Sequence, residues 1–384
     1  MPFLNDMLED TERRRRDALA LQAETLSSKD VVGAHLASGA INSRFRFDID
    51  VIRQHLEHEI IGQDDALAGI IDMLSIVRAD IADPRRPLYT SLLLGPTGVG
   101  KTEMVRVLAK AMHGDADALC RVDMNTLSQE HYAAAISGAP PGYVGSKEGR
   151  TILDQEKIEG SAGKPGIVLF DEFEKASAEV VLSLLNVFDN GILTVASGER
   201  VYSFRNAIIF MTSNLGTEHL RREAIRQTKP WATLLNAGKT RKQRLHTIAQ
   251  DVLLESFPPE FVNRIDQIEV FNWIDHENVE VLIALEMEKL NRRLNKHDCL
   301  LEISQKLRDH IALNGFDRQF GARSLRRAVR RFVEVPFARF LLGSEAASTA
   351  DVAGKSFTAD LVAGEAVILR SDEAGKEYDE FSRR

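Results

Sequence analysis

"LLLGPTGVGKTEMVRVLAKAM", residues 92–112, decides the fold. Three leucines run straight into G-x-x-x-x-G-K-T at Gly95 to Thr102, and an amphipathic stretch follows. That succession reads as an apolar strand, a glycine-rich loop and a helix, the context that turns a pattern match into a phosphate site. The glycines let backbone N–H groups close around phosphate oxygens at a positive helix terminus. Lys101 supplies a point charge for the outer phosphates, and the Thr102 hydroxyl can ligate Mg2+. Gly95, Pro96, Thr97, Gly98, Val99 and Gly100, with Lys101, Thr102 and Glu103 opening the helix, are therefore the candidate nucleotide-binding residues.

Downstream, "GIVLFDEFEKAS" carries four apolar residues into Asp171 and Glu172 at a strand's C-terminal edge, where ligand sites of parallel sheets open. Asp171 is placed to hold Mg2+, and Glu172 to orient and polarise the attacking water. Paired acids also occur as helix N-caps, and "EKASAEV" reads as a helix start. A third strand, "NAIIFMTSN", ends in Asn214, which can hydrogen-bond that water or the γ-phosphate, although a strand-ending Ser-Asn is also an ordinary turn.

The strands sit in a regular alternation. "DIDVIRQHLEHEI" and "QDDALAGIIDMLSIVRADI" are amphipathic, whereas "TSLLLG", "ALCRVDM", "GIVLFDE", "NAIIFMTSN" and "QIEVF" are short apolar runs. Apolar runs separated by helices imply an α/β domain, with a parallel sheet covered on both faces. From about 275 helical periodicity takes over, and "EAVILR" is the one late strand candidate. Residues 217–250 are basic and without clear pattern, as an insertion would be. We therefore divide the chain into a helical N-terminal segment and linker (1–48), a large nucleotide-binding domain (49–274), a smaller, mainly helical C-terminal domain (275–372) and a tail (373–384).

Composition narrows the function classes. The chain has 384 residues, 44% hydrophobic and 28% charged, with a net charge of -8. It lacks the basic surplus of a nucleic-acid coat, which argues against a nucleic-acid partner. No segment is long and apolar enough for a membrane span or a signal peptide. Cys120 and Cys299 lie far apart and near no His/Cys cluster, so neither a disulfide framework nor a zinc site is indicated, and a reducing cytoplasm fits.

Taken together, "IIGQDDAL", "GPTGVGKTE", "GAPPGYVG", "LFDEFEKA", "IIFMTSNLG", "FPPEFVNRID" and "GARSLRRAV" come in the order and approximate spacing of the AAA+ module of Clp-type protein unfoldases. The chain most resembles the second ATPase module of the double-ring members, over roughly residues 50–345. The resemblance implies a large domain with a five-stranded parallel sheet and helices on both faces, followed by a small helical lid. It implies ATP and Mg2+, Ile61 and Gly62 around the adenine, Asn214 as first sensor and Arg323 as second sensor. It implies Arg264 as the finger inserted into a neighbouring subunit's site, within a ring that in the family is a hexamer. A residue supplied in trans requires head-to-tail contacts, which close into rings. It also implies that Tyr143 and Val144, in the glycine-flanked loop "SGAPPGYVGSKEGR" (137–150), line a central pore and grip a protein client.

The chain departs from the larger family members in several ways. It has no second ATPase module, no coiled-coil insertion and no zinc-binding N-terminal domain. Residues 217–250 contain no Ile/Leu-Gly-Phe/Leu tripeptide of the kind that docks the Clp peptidase, which argues against a peptidase partner. Ser146 and Lys147 stand where the family often has a second tyrosine and an acid, and Pro258 replaces an arginine. The Gly-rich stretch "FDNGILTVASGERVYSF" is compatible with a second pore loop or a plain hairpin.

Overall fold

The computed structural model describes residues 43–127, 152–161, 163–194, 201–227, 241–343 and 354–370. Its first helix, α1 (Ile49–Glu59), starts where Asp48 accepts hydrogen bonds from the backbone N–H groups of Asp50 and Val51, a cap typically worth about 1 kcal/mol. Helix α2 (Asp64–Ala79) buries half of its residues and ends with Asp80 in the left-handed region. Just before α1, Phe45 is fully buried and the Arg46 N–H donates to the Gly163 carbonyl, so the chain from 43 onward packs with the large domain.

Strand β1 (Tyr89–Leu94) and helix α3 (Lys101–His113) flank the glycine-rich loop, and β2 (Cys120–Asp123) follows. A short helix, α4 (Gln155–Glu159), precedes β3 (Gly166–Asp171). Helix α5 (Ala178–Asn190), capped by Ser177, leads into β4 (Ile192–Thr194) and β5 (Val201–Ser203), which pair antiparallel. That pairing supports the hairpin reading; the connecting residues 195–200 lie outside the described residues. Strand β6 (Ala207–Ser213) returns to the main sheet.

Residues 217–250 are not patternless. They contain α6 (Thr217–Gln227) and most of α7 (Arg241–Ser256), and Leu245, Ala249, Val252 and Leu253 of α7 are buried. The spacing i, i+4, i+7, i+8 is a helical stripe that straddles position 250, so a window ending there cuts it in two. A four-residue helix, α8 (Pro259–Val262), and β7 (Gln267–Val270) complete this part.

The five strands pair in parallel in the order β2-β3-β6-β1-β7. Side chains alternate between the two faces. Leu93, Leu169 and Phe210 face a core built with α1, α2 and α3, while Leu92, Leu94, Phe170 and Met211 face one built with α5 and α7. Both sides being covered explains why these strands read as continuous apolar runs.

The C-terminal part contains α9 (Val279–Leu294), β8 (Cys299–Ile303), α10 (Gln305–Gly315), α11 (Ala322–Val329), α12 (Val335–Leu342), β9 (Lys355–Val362) and β10 (Glu365–Arg370). Here the expectation of a single strand needs correction. β8, β9 and β10 form a three-stranded sheet, β8 parallel and β10 antiparallel to β9. Its apolar residues, such as Leu301 and Phe357, are continuous with the core on the α1–α3 side of the main sheet. Among the described residues no helix is long and apolar enough to cross a membrane.

Candidate nucleotide site

At the C-terminal edge of β1, the loop from Gly95 to Gly100 turns the chain into α3. Gly100 has φ +106 and Gly98 φ +78, the left-handed region that side chains with a Cβ rarely adopt. At Gly98 the constraint is doubled, because an added Cβ would stand 2.1 Å from the Phe320 carbonyl oxygen. The loop is thus pressed against the start of α11, and the Ala322 N–H donates to the Gly98 carbonyl at 2.9 Å.

Lys101, at the first position of α3, is buried, and its amine donates to the carbonyls of Gly95 (2.5 Å) and Pro96 (2.7 Å) and to Asn214 Oδ1 (2.8 Å). Burial pushes the Lys101 pKa down to about 8, against the pull of Glu174, Asp171 and Glu172. A buried ammonium satisfied by neutral oxygens is a group to which phosphate oxygens offer a stronger electrostatic partner, so the loop fits a polyphosphate.

Asp171 ends β3, two strands away from β1. Its Oδ1 accepts from Thr102 Oγ1 (3.0 Å) and Thr212 Oγ1 (2.5 Å), and its Oδ2 accepts from Arg121 Nη2 (2.6 Å). Thr102 and Asp171 form a pair of hard oxygen donors of the kind that binds Mg2+ together with phosphates. Among the described residues no group of three or more His, Cys, Asp or Glu side chains could hold a metal by itself. Glu172 is a non-glycine residue at φ +56, with its N–H tied to Thr212 Oγ1 at 3.0 Å. Left-handed backbone of this kind costs about 1 kcal/mol and tends to persist where a side chain must be aimed.

Most of these groups, though not Gly95, Pro96 or Glu174, line one cavity of about 410 Å³ between the sheet edge and the C-terminal part. Its apolar lining, Ile60, Ile61, Ile274, Leu282 and Leu285, suits a planar base. Its polar lining includes Lys101, Thr102, Asp171, Glu172, Asn214, Arg121 and Arg323, and suits charged phosphates. Thr97 to Glu103 all line it, and Glu103 also pairs with Lys289 of α9 at 3.5 Å. Gly62 is not among the lining residues; it turns the chain beside Ile61 with φ +73.

Arg264 is not brought to this cavity. It follows α8 and pairs with Asp189 at the end of α5, Nε to Oδ1, at 2.8 Å. Tyr143 and Val144 lie outside the described residues. Polar groups of the site not singled out from sequence include Arg121 on β2, Thr212 on β6, and Glu174, which contacts Asn214. Each meets its partner across neighbouring strands, so only the strand order could have pointed to it.

Because the glycine-rich loop after β1 faces Asp171 and Glu172 across one cavity bordered by the C-terminal part, the chain has the architecture of a P-loop ATPase of the AAA+ class. Residues 86–268 match the family model of the AAA domain (Cdc48 subfamily), and residues 274–353 match that of the C-terminal D2-small domain of ClpB. The chain is 57% identical over 344 residues to the ATP-dependent protease ATP-binding subunit-like protein AmiB of Pseudomonas aeruginosa, covering 89% of this chain and 93% of that protein. It is 40% identical to an ATP-dependent protease ATP-binding subunit-like protein of Rhodococcus erythropolis, over 89% of this chain and 92% of the relative. Against the ATP-dependent Clp protease ATP-binding subunit ClpC of Staphylococcus aureus the identity is 38%, over 80% of this chain but 37% of ClpC. The chain belongs to the Clp-type AAA+ ATPases, with one such module, and it is an ATPase.

Proposed function

We propose that this protein is an ATP-driven protein-remodelling motor that works as a ring of its own copies, a hexamer as in the family, in the cytoplasm. ATP sits in the 410 Å³ cavity with its base among Ile60, Ile61 and Leu282 and its phosphates on the loop and Lys101. Thr102 and Asp171, together with the phosphates, would hold Mg2+, which would supply charge neutralisation during phosphoryl transfer. Glu172 orients the attacking water, Asn214 and Arg323 contact the phosphates, and Arg264 of one subunit completes the site of the next. Tyr143 and Val144 press on an extended polypeptide; an aromatic on a glycine-flanked loop grips with little sequence preference.

The observation that carries the motor reading is the backbone contact between Gly98 and Ala322. The proposed phosphate-binding loop and a helix of the lid share a hydrogen bond, so a change at the phosphates has a direct mechanical route to the lid. Two free, buried cysteines agree with a reducing compartment.

The test is unfolding of a tagged, folded substrate. Tyr143→Ala is expected to hydrolyse ATP at the wild-type rate and to lose unfolding; undiminished unfolding would remove Tyr143 from substrate contact. The relatives' printed names favour a second reading of the same motor, as the ATP-binding subunit of a protease. Adding a Clp peptidase to the assay separates the two: released intact substrate supports remodelling alone, and ATP-dependent peptides support the protease subunit.

A further inference from the structure

We propose that Glu174 is a positioning residue for ATP hydrolysis, acting by fixing the side-chain amide of Asn214. The inference rests on the reading of Asn214 as part of the hydrolytic site. Asn214 stands between two groups of opposite hydrogen-bonding character. Its Oδ1 accepts from the Lys101 amine at 2.8 Å, and its Nδ2 donates to Glu174 Oε1 at 3.3 Å. An ammonium can only donate and a carboxylate can only accept, so the amide has a single satisfactory orientation. The Asn214 backbone N–H points to the same Oε1 at 3.4 Å, which ties main chain and side chain to one anchor.

The anchor is itself rigid. Glu174 lies on the single helical turn Phe173–Lys175 that follows Glu172. The turn is pinned by Phe173, fully buried and stacked on Phe261 with ring centroids 5.0 Å apart. Packing of that kind locks a supporting shell in place. The arrangement carries a cost, because Glu174 Oε2 is buried and has no hydrogen-bond partner among the described residues. A carboxylate offers Asn214 Nδ2 a charge-assisted acceptor that no apolar or hydroxyl side chain matches. Nδ2 has two hydrogens, and Asn214 lines the cavity. With one hydrogen held by Glu174, the second is presented to a phosphate oxygen or the attacking water. Without Glu174 the amide loses the partner that fixes its donor end.

The test is a double-mutant cycle on the full chain. Glu174→Ala is expected to lower kcat roughly 10- to 100-fold while ADP affinity stays within about threefold, as for loss of one preorganised donor. In an Asn214→Ala background the same change is expected to alter kcat less than about twofold. Glu174→Gln keeps the acceptor oxygen and should restore most of the rate. Glu174→Asp keeps the charge but draws the oxygen back by one methylene; it should behave like alanine and replaces it if the alanine variant does not fold. Thermal unfolding of each variant without nucleotide, expected near wild type, provides a readout independent of turnover. If Asn214→Ala is impaired and Glu174→Ala costs the same factor in both backgrounds, Glu174 does not act through Asn214 and the proposal falls. If Asn214→Ala turns over at the wild-type rate, the role of Asn214 itself fails, and that of Glu174 with it.

Discussion

In the proposed mechanism Glu172 concentrates the chemistry of the site in one side chain. Its left-handed backbone and the tether to Thr212 aim the carboxylate into the cavity rather than along the helix that follows. Replacing it by glutamine keeps shape and reach while removing the charge proposed to polarise water. Glu172→Gln is therefore expected to bind a fluorescent nucleotide normally and to hydrolyse ATP about 100-fold more slowly or worse, the usual size of a lost general base. Wild-type turnover would assign the water to another group. At this scale much of the site was legible: Lys101, Thr102, Asp171 and Glu172 sit at fixed offsets from apolar runs, so sequence spacing alone carries them to a strand's end. Arg121 and Glu174 were not legible, because Arg121 reaches Asp171 across β2 and β3, and Glu174 reaches Asn214 across β3 and β6.

Among the elements, β7 carries an unusual load for the edge of the sheet. Its Glu269 is buried, accepts from Gln267 Nε2, and packs at Gly69 of α2, where an added Cβ would lie 1.7 Å from its Oε1. Gln267 in turn accepts from the Tyr89 hydroxyl at 2.6 Å, and burial pushes the Tyr89 pKa up to about 12. Burial raises the Glu269 pKa from 4.5 to about 7, with Asp72 and Asp65 adding to the shift and Lys242 opposing it. A carboxyl whose folded pKa is raised favours the folded state below the unfolded pKa, and that contribution is lost as pH rises through the folded value. Wild-type stability from this group therefore declines between about pH 4.5 and 7. Glu269→Gln, which has no such titration, is expected to match wild type near pH 5 and to be more stable at pH 8 by on the order of 2 kcal/mol. Denaturant titrations at both pH values check this, and an equal difference at the two would remove burial of the charge as the cause.

Element type was legible where periodicity ran uninterrupted. β1, β3 and β6 announce themselves as apolar runs, because both their faces are covered, whereas the edge strand β2 alternates buried and exposed residues. β8 was missed for a local reason: Leu300 and Leu301 are adjacent and apolar, although Leu301 is buried and Leu300 exposed, so alternation is masked within five residues. β9 relies for its core contacts on Phe357 and Ala359, too few to stand out from a loop.

For the whole molecule, the cleft lies between two parts of one chain, and the proposed ring adds a second boundary between copies. Arg264 stands apart from its own cavity, paired with Asp189, as a residue acting on a neighbour would. Arg264→Ala is expected to bind ATP and to lose turnover by about 1,000-fold, the scale of a removed arginine finger. Mixing it with Glu172→Gln discriminates trans from cis: in mixed rings an Arg264→Ala subunit keeps its own Glu172 and can receive the arginine of a Glu172→Gln neighbour. Recovery of hydrolysis in the mixture supports the shared site, and no recovery in demonstrably mixed rings places Arg264 in cis.

The sequence by itself determined the α/β class, the phosphate loop with its lysine, and the acids that end β3, because these depend on short-range spacing and on apolar runs that need no partner to be read. Only the tertiary structure decided that α7 belongs to the core, that the lid holds a three-stranded sheet, and that the loop at Gly98 is bonded to the start of α11. It alone brought Arg121 to Asp171 and Glu174 to Asn214. Hydrogen bonds and packing between segments 40 to more than 200 residues apart depend on strand order and helix docking, which local propensity does not encode.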